Sequence, residues 1–259
     1  GLSRHTIDNR CWHVHAFLRW LGLQGIGLAE LQLEQVDAFL ALKHTQGWCR
    51  VSMATAVNAL RSFFRYAGEK GWCAPVLAVG VEGPRLFSQE SLPVGPKWED
   101  VQRLIASADT DIPKDIRDRA ILLLLAVYGL RSGEVVGLTL DDVDWEHDIL
   151  HVSRSKQRRK QEYPIAVEVG EAILRYLERV RPRIGSRSLF LTTKAPFRPL
   201  APTSLHHVVS TRLQALNISC NKRGPHSLRH ACATHLVAER LSLKQIGDHL
   251  GHRSPYATR

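Results

Sequence analysis

One stretch constrains the fold more than any other: IRDRAILLLLAVYG, from Ile116 to Gly129. No residue between Ala120 and Tyr128 carries a charge, so a helix over this run is apolar on every side. Such a helix has to be enclosed by other elements on all its faces. It is far shorter than the ~20 residues a bilayer span needs, so lipid is not what surrounds it. It belongs at the centre of a domain large enough to wrap it. With 259 residues, 44% hydrophobic and 23% charged, the chain has material for one large or two modest globular domains. Its opening residues do not read as a signal peptide.

The charge balance points to a partner. Thirty-five Lys and Arg against 25 Asp and Glu leave a net charge of +10. A surface this basic favours a polyanion: DNA, RNA or an anionic membrane. The membrane is the weakest of the three, because the longest apolar run is Ala120–Gly129. The five cysteines, Cys11, Cys49, Cys73, Cys220 and Cys232, are scattered and odd in number. That pattern fits reduced thiols in a cytoplasmic protein and argues against a disulfide scaffold or a zinc ribbon.

Periodicity divides the chain. HTIDNRCWHVHAFLRWLG places Ile7, Trp12 (or Cys11), Val14, Phe17, Leu18 and Leu21 at helical spacing, with Gly22 and Gly25 as its end. LEQVDAFLALKHTQG and SMATAVNALRSFFRYAGEKG read as two further amphipathic helices, the second with Ser52 as N-cap. Arg50, Arg61, Arg65 and Lys70 cluster near that last helix, either as a solvated face or as a contact for a polyanion. Residues 81–97, VEGPRLFSQESLPVGPK, carry three prolines and little periodicity, and read as a linker. Beyond them WEDVQRLIASAD, the Ile116–Gly129 run, VGEAILRYLERVRPR and three stretches after Thr203 read as helices. ILHVSRS and EYPIAVEV read as two strands around a polar turn. The expected class is mainly α with a small antiparallel β-sheet: helical residues 1–80, linker 81–97, and an α+β domain over 98–259.

Three stretches carry chemistry. In AVYGLRSGEVVGLTLDDVDW, Arg131 follows the end of the apolar helix, Ser132 is a candidate cap for a short helix, and Glu134 lies in its first turn. An arginine there needs an anion, either Glu134 or a ligand phosphate. In HVSRSKQRRKQEYPIA, the cations Arg154, Lys156, Arg158, Arg159 and Lys160 crowd one hairpin; they either keep an exposed turn soluble or meet a phosphate backbone. In HSLRHACATHLVAERLSLKQIGDHLGHRSPYATR, His226 and Arg229 are three apart at a helix start, His230 and His235 follow, and His252 succeeds a helix-ending Gly251.

Taken in this order, GLRSGEVVGLTLDDVDW, a lysine in a β-hairpin, HSLRHACATHL and LGHRSP resemble the tyrosine recombinase (phage integrase) family. The likeness runs from about Val94 to Arg259, and the helical N-terminal part is similar to the family's SAM-like core-binding domain. The resemblance implies site-specific recombination of double-stranded DNA through a 3′-phosphotyrosine intermediate, as in integrases, transposases and resolvases of mobile elements, without metal or cofactor. It implies that Arg131 and Arg229 hold the scissile phosphate and that Lys156 is the general acid for the departing 5′ oxygen, with Lys160 second in line. His226 takes the acid/base position, His252 hydrogen-bonds the phosphate, Glu134 orients the first arginine, and His230 supports. Arg50, Arg61, Arg65, Arg154, Arg158, Arg159 and Lys160 are then the expected DNA contacts.

The family's nucleophilic tyrosine falls two positions beyond Arg259, so the expectation is a chain that binds DNA and does not cleave it. Tyr256 is too close to His252 to match the family spacing. Tyr66, Tyr128, Tyr163 and Tyr176 read as packing or surface residues. The family's tetramer on DNA implies a homotetramer for the full-length protein and a mainly monomeric state for this stretch. Other readings are a type IB topoisomerase, a non-catalytic DNA-binding protein, and a zinc enzyme built on His226 and His230 at i, i+4 spacing.

Overall fold

A computed structural model of the chain describes residues 4–85, 95–154, 159–220 and 223–251, and not the side chains of His5 and Arg159. The chain divides into two compact units, Gly1–Leu92 and Pro93–Arg259.

The first unit is helical. It contains α1 (Arg4–Gln24), α2 (Leu33–Thr45), α3 (Arg50–Glu69) and the short α4 (Leu77–Gly80). Phe17 and Leu21 of α1 meet Val36 and Phe39 of α2 and Val57, Leu60 and Phe64 of α3 in one core. Helix α1 runs through Gly22 and ends at Gly25, where φ is +69° and Ile26 N–H donates back to the Leu21 carbonyl at 3.1 Å. The buried stripe of α1 is narrower than its apolar spacing predicts: Ile7 is 44% exposed and Trp12 58% exposed, whereas His13, on the same face as Phe17 and Leu21, is buried. Ser52 is not the cap of α3. The cap lies three residues earlier, at Cys49, and Ser52 is inside the first turn.

The second unit surrounds one helix. It holds α5 (Trp98–Ala106), α6 (Pro113–Val127), α7 (Ser132–Val136), strands β1 (Val143–Asp144), β2 (Ile149–Arg154) and β3 (Arg159–Pro164), then α8 (Val167–Arg179), α9 (Pro202–Ala215), α10 (Pro225–Ala238) and α11 (Leu243–Leu250). Every residue of α6 from Ala120 to Ala126 is fully buried, as the apolar run requires. The sheet is antiparallel in the order β1-β2-β3, and β1 adds a third strand to the two expected from the sequence. Strand β3 stops at Pro164, and Val167, read as strand, begins α8. Proline cannot donate to a ladder, which explains the early stop. In the β2–β3 register Leu150 faces Tyr163 and Val152 faces Gln161, so these residues and Arg154 share the inner face of the sheet.

Candidate functional site

Arg131 occupies the N-cap of α7 in extended backbone, one position before Ser132, which was expected to cap. Glu134 lies one turn on and grips it twice. Its Oε2 accepts from the Arg131 backbone N–H at 2.8 Å, and its Oε1 accepts from Arg131 Nη1 at 2.8 Å. The i, i+3 spacing makes both bonds possible at once. Arg154 Nη1 donates to the same Oε2 at 2.5 Å. Burial pushes the Glu134 carboxyl up, but the hydrogen bonds from Arg154 and Arg131 outweigh it and hold its pKa below the usual range. The side chains of Arg154 and Glu134 are 1% and 6% exposed, and that of Arg131 is 36% exposed. Of the two arginines, only Arg131 has a face open to a ligand.

This corrects the reading of Arg154 as a DNA contact on the hairpin surface. It ends the inner face of β2 and points into the domain, where its Nε donates to Gln161 at 3.0 Å and its Nη2 to the Tyr163 hydroxyl. A buried guanidinium must be paired, and Glu134 is its partner.

Arg229, in the second turn of α10, is 4% exposed. Its Nη1 donates to the Gly129 carbonyl at 2.5 Å and its Nη2 to the Leu250 carbonyl at 2.6 Å. Burial first, then the positive charge of Arg131, brings its pKa down to about 10, which leaves it cationic at neutral pH. Gly129 is at φ +59°, and a β-carbon there would sit 2.4 Å from Leu250 Cδ2. Glycine lets α6 end in a tight turn directly against α11.

The last carbonyls of α11 are the focus of the site. Gln161 Nε2 donates to Asp248 O at 2.8 Å, the Tyr163 hydroxyl to His249 O, and Arg131 Nη2 to Gly251 O at 3.4 Å. With Arg229 on Leu250 O, the carbonyls that any helix leaves unpaired at its end are taken by side chains, and the negative end of the helix dipole meets guanidinium groups. His249 Nε2 lies 3.1 Å from Val127 O; burial, then the charges of Arg154 and Arg229, lowers its pKa and favours the neutral ring. His249, Gln161 and Tyr163 did not stand out in the sequence.

His226 is exposed, unlike Arg229 three residues on, so the two are not presented to a ligand in the same way. Its ring lies 4.3 Å from that of His230, edge-on at 76°. His226 borders a cleft of about 610 Å³ with Ser132, His206 and Arg223, which begins one residue from Arg131. Lys160 is exposed on the outer face of β3, opposite Tyr163. That orientation turns it away from the arginines. Lys156, Arg158, His252 and Tyr256 lie outside the described residues, as does the side chain of Arg159. In the first unit Arg65 is exposed, Arg50 donates to Arg85 O at 2.6 Å, and the half-buried Arg61 is spent on Val81 O at 2.8 Å. Among the described residues no His, Cys, Asp and Glu group is arranged to hold a metal ion, and no helix is long and apolar enough to cross a membrane.

Two guanidinium groups thus meet at the end of one helix, one of them partly open and held in orientation by a carboxylate. The phage integrase family model matches residues 97–259, and the model of the phage integrase N-terminal SAM-like domain matches residues 1–71. The chain belongs to the phage integrase family. It is similar over its whole length to y4rA of Sinorhizobium fredii, named as an integrase/recombinase, with 40% identity, and it spans 63% of that relative's length. It is 30% identical to the tyrosine recombinase XerD of Pasteurella multocida, with all of this chain and 86% of that protein covered. A lambda integrase dimer crystallised on a COC′ core site shares the fold, with a TM-score of 0.74 at 19% identity over 100% of this chain and 88% of that one.

Proposed function

We propose that this chain acts in site-specific DNA recombination by metal-independent phosphoryl transfer to a tyrosine. The observation that carries the reading is the convergence of Arg131 and Arg229 on one helix end, with Glu134 fixing Arg131. In such a reaction negative charge grows on the non-bridging phosphate oxygens, and preorganised cations aimed at them stabilise the transition state. Arg131 meets one oxygen through its open face, and Arg229 meets another by turning from the Leu250 carbonyl. Lys156 protonates the departing 5′ oxygen, His226 works as acid and base from the edge of the cleft, and His252 donates to the phosphate. His230 supports His226. Arg50, Arg65, Arg158, Arg159 and Lys160 contribute contacts to the DNA backbone.

The nucleophile in this reading is not one of the described tyrosines. Tyr128, Tyr163 and Tyr176 are at most 4% exposed, and each hydroxyl is hydrogen-bonded within the protein. Tyr66 belongs to the first unit. In this reading residues 1–259 alone bind DNA as a monomer without cleaving it, and the full-length protein works as a tetramer on DNA. Selection from a pool of random duplexes, followed by a nicked version of the selected duplex on a denaturing gel, tests this. Expected are retained duplexes, steep loss of binding with salt, and no covalent adduct. Absence of binding at low salt contradicts the reading, and an adduct mapped to Tyr256 contradicts the assignment of the nucleophile.

A further inference from the structure

Strand β3 holds the end of α11 with side chains that phosphate chemistry does not itself require. Arg131 bonds Glu134, Glu134 bonds Arg154, Arg154 bonds Tyr163, and Tyr163 bonds the His249 carbonyl. Two residues further along the backbone, the Gly251 carbonyl bonds Arg131 and closes the ring. Gly251 is fitted to it. Its φ is +60°, and a β-carbon would lie 2.6 Å from Arg154 Nε. Apolar contact alone anchors α11 weakly: Ile246 and Leu250 form a small cluster with Cys232, separate from the main core.

We infer that Arg154 and Tyr163 are positioning residues for the phosphate site, acting through Glu134 and through the end of α11. This inference rests on the phosphate-binding reading above. Glu134 can hold the Arg131 side chain and backbone in a fixed geometry because Arg154 neutralises its second oxygen. Tyr163 fixes the His249 carbonyl, and with it the last turn of α11. The same ring ties β2 and β3 to the end of α11. A buried ion pair is a poor way to gain stability, since apolar residues of similar volume often do as well or better. Its distinctive contribution here is placement.

The side-chain Nε–H NMR signals of Arg131 and Arg229, followed during titration with inorganic phosphate, test the inference. In the wild-type chain both signals move with a common midpoint. Tyr163→Phe keeps the ring, removes the hydroxyl and raises that midpoint about fivefold. Arg154→Met raises it about tenfold or more and separates the two midpoints, and Arg154→Lys recovers part of the loss. Thermal melts run alongside separate unfolding from misplacement, and Tyr163→Phe decides the matter if Arg154→Met does not fold. Folded Tyr163→Phe with an unchanged midpoint, whatever its melting temperature, makes the pair merely structural and overturns the inference alone. A wild-type chain in which neither signal moves overturns the phosphate-binding reading and the inference together.

Discussion

Arg229 donates to the carbonyl oxygen of Gly129 at 2.5 Å, joining the start of α10 to the end of α6, and its other terminal nitrogen holds Leu250 of α11. One side chain thus gathers three helix ends, and in the proposed function it is also half of the phosphate clamp. Arg229→Met leaves two carbonyls without that donor and should destabilise the second unit by about 2–4 kcal/mol. Arg229→Lys keeps the charge but not the fork, so it should retain more stability while still weakening DNA binding. Denaturant melts with parallel binding isotherms check both.

Gly251→Ala should be worse than an ordinary glycine substitution. The left-handed backbone alone costs about 1–2 kcal/mol for a residue with a β-carbon, and the new atom would also press on the Arg154 guanidinium. The expected outcome is a loss of more than about 2 kcal/mol, with weaker phosphate binding in the fraction that folds. Equal stability of Gly251→Ala and wild type would show that Arg154 is not seated against this turn.

Acid should loosen the site through Glu134. Its pKa is depressed in the folded state, so its contribution to stability is present above the ordinary value of 4.5 and is lost as pH falls below that value through the folded pKa. Glu134→Gln should be less stable than wild type at neutral pH, and the gap should narrow below pH 4.5. Melting temperatures of both proteins measured between neutral and acidic pH check the sign. A gap that widens on acidification would contradict it.

Thiol reactivity should follow burial. Cys11 and Cys49 are exposed and should react at once with a disulfide reagent, whereas Cys73 and Cys232 should react only on unfolding. Burial pushes the Cys232 thiol up to about 12, which suppresses its thiolate at neutral pH. A native-state titration against time reads the two classes directly.

The sequence reading of Arg131, Glu134 and Arg229 depended on motif order, and the fold does bring these three residues together. Arg154 was misread because five cations in one hairpin look alike in composition. Strand parity carried the missing information: Leu150, Val152 and Arg154 alternate onto one face, and that face is buried. Tyr163 and Gln161 follow from the same parity once the register is known. Nothing local marked His249, whose contact with Val127 spans 122 positions. The caps of the helices starting at Arg50 and Ser132 were misplaced by three residues and by one, because Cys49 and Arg131, poor capping types, occupy the N-cap positions.

The central claim is that Arg131 and Arg229 clamp one phosphate of the target DNA. Replacing single phosphates of the selected duplex by neutral methylphosphonates, one position at a time, tests it most directly. At one position per half-site the substitution should weaken the wild-type chain about tenfold and leave the Arg131→Ala and Arg229→Ala variants nearly unaffected, because the interaction is already lost. Losses that add independently at every position, with no phosphate coupled to either arginine, would contradict the account.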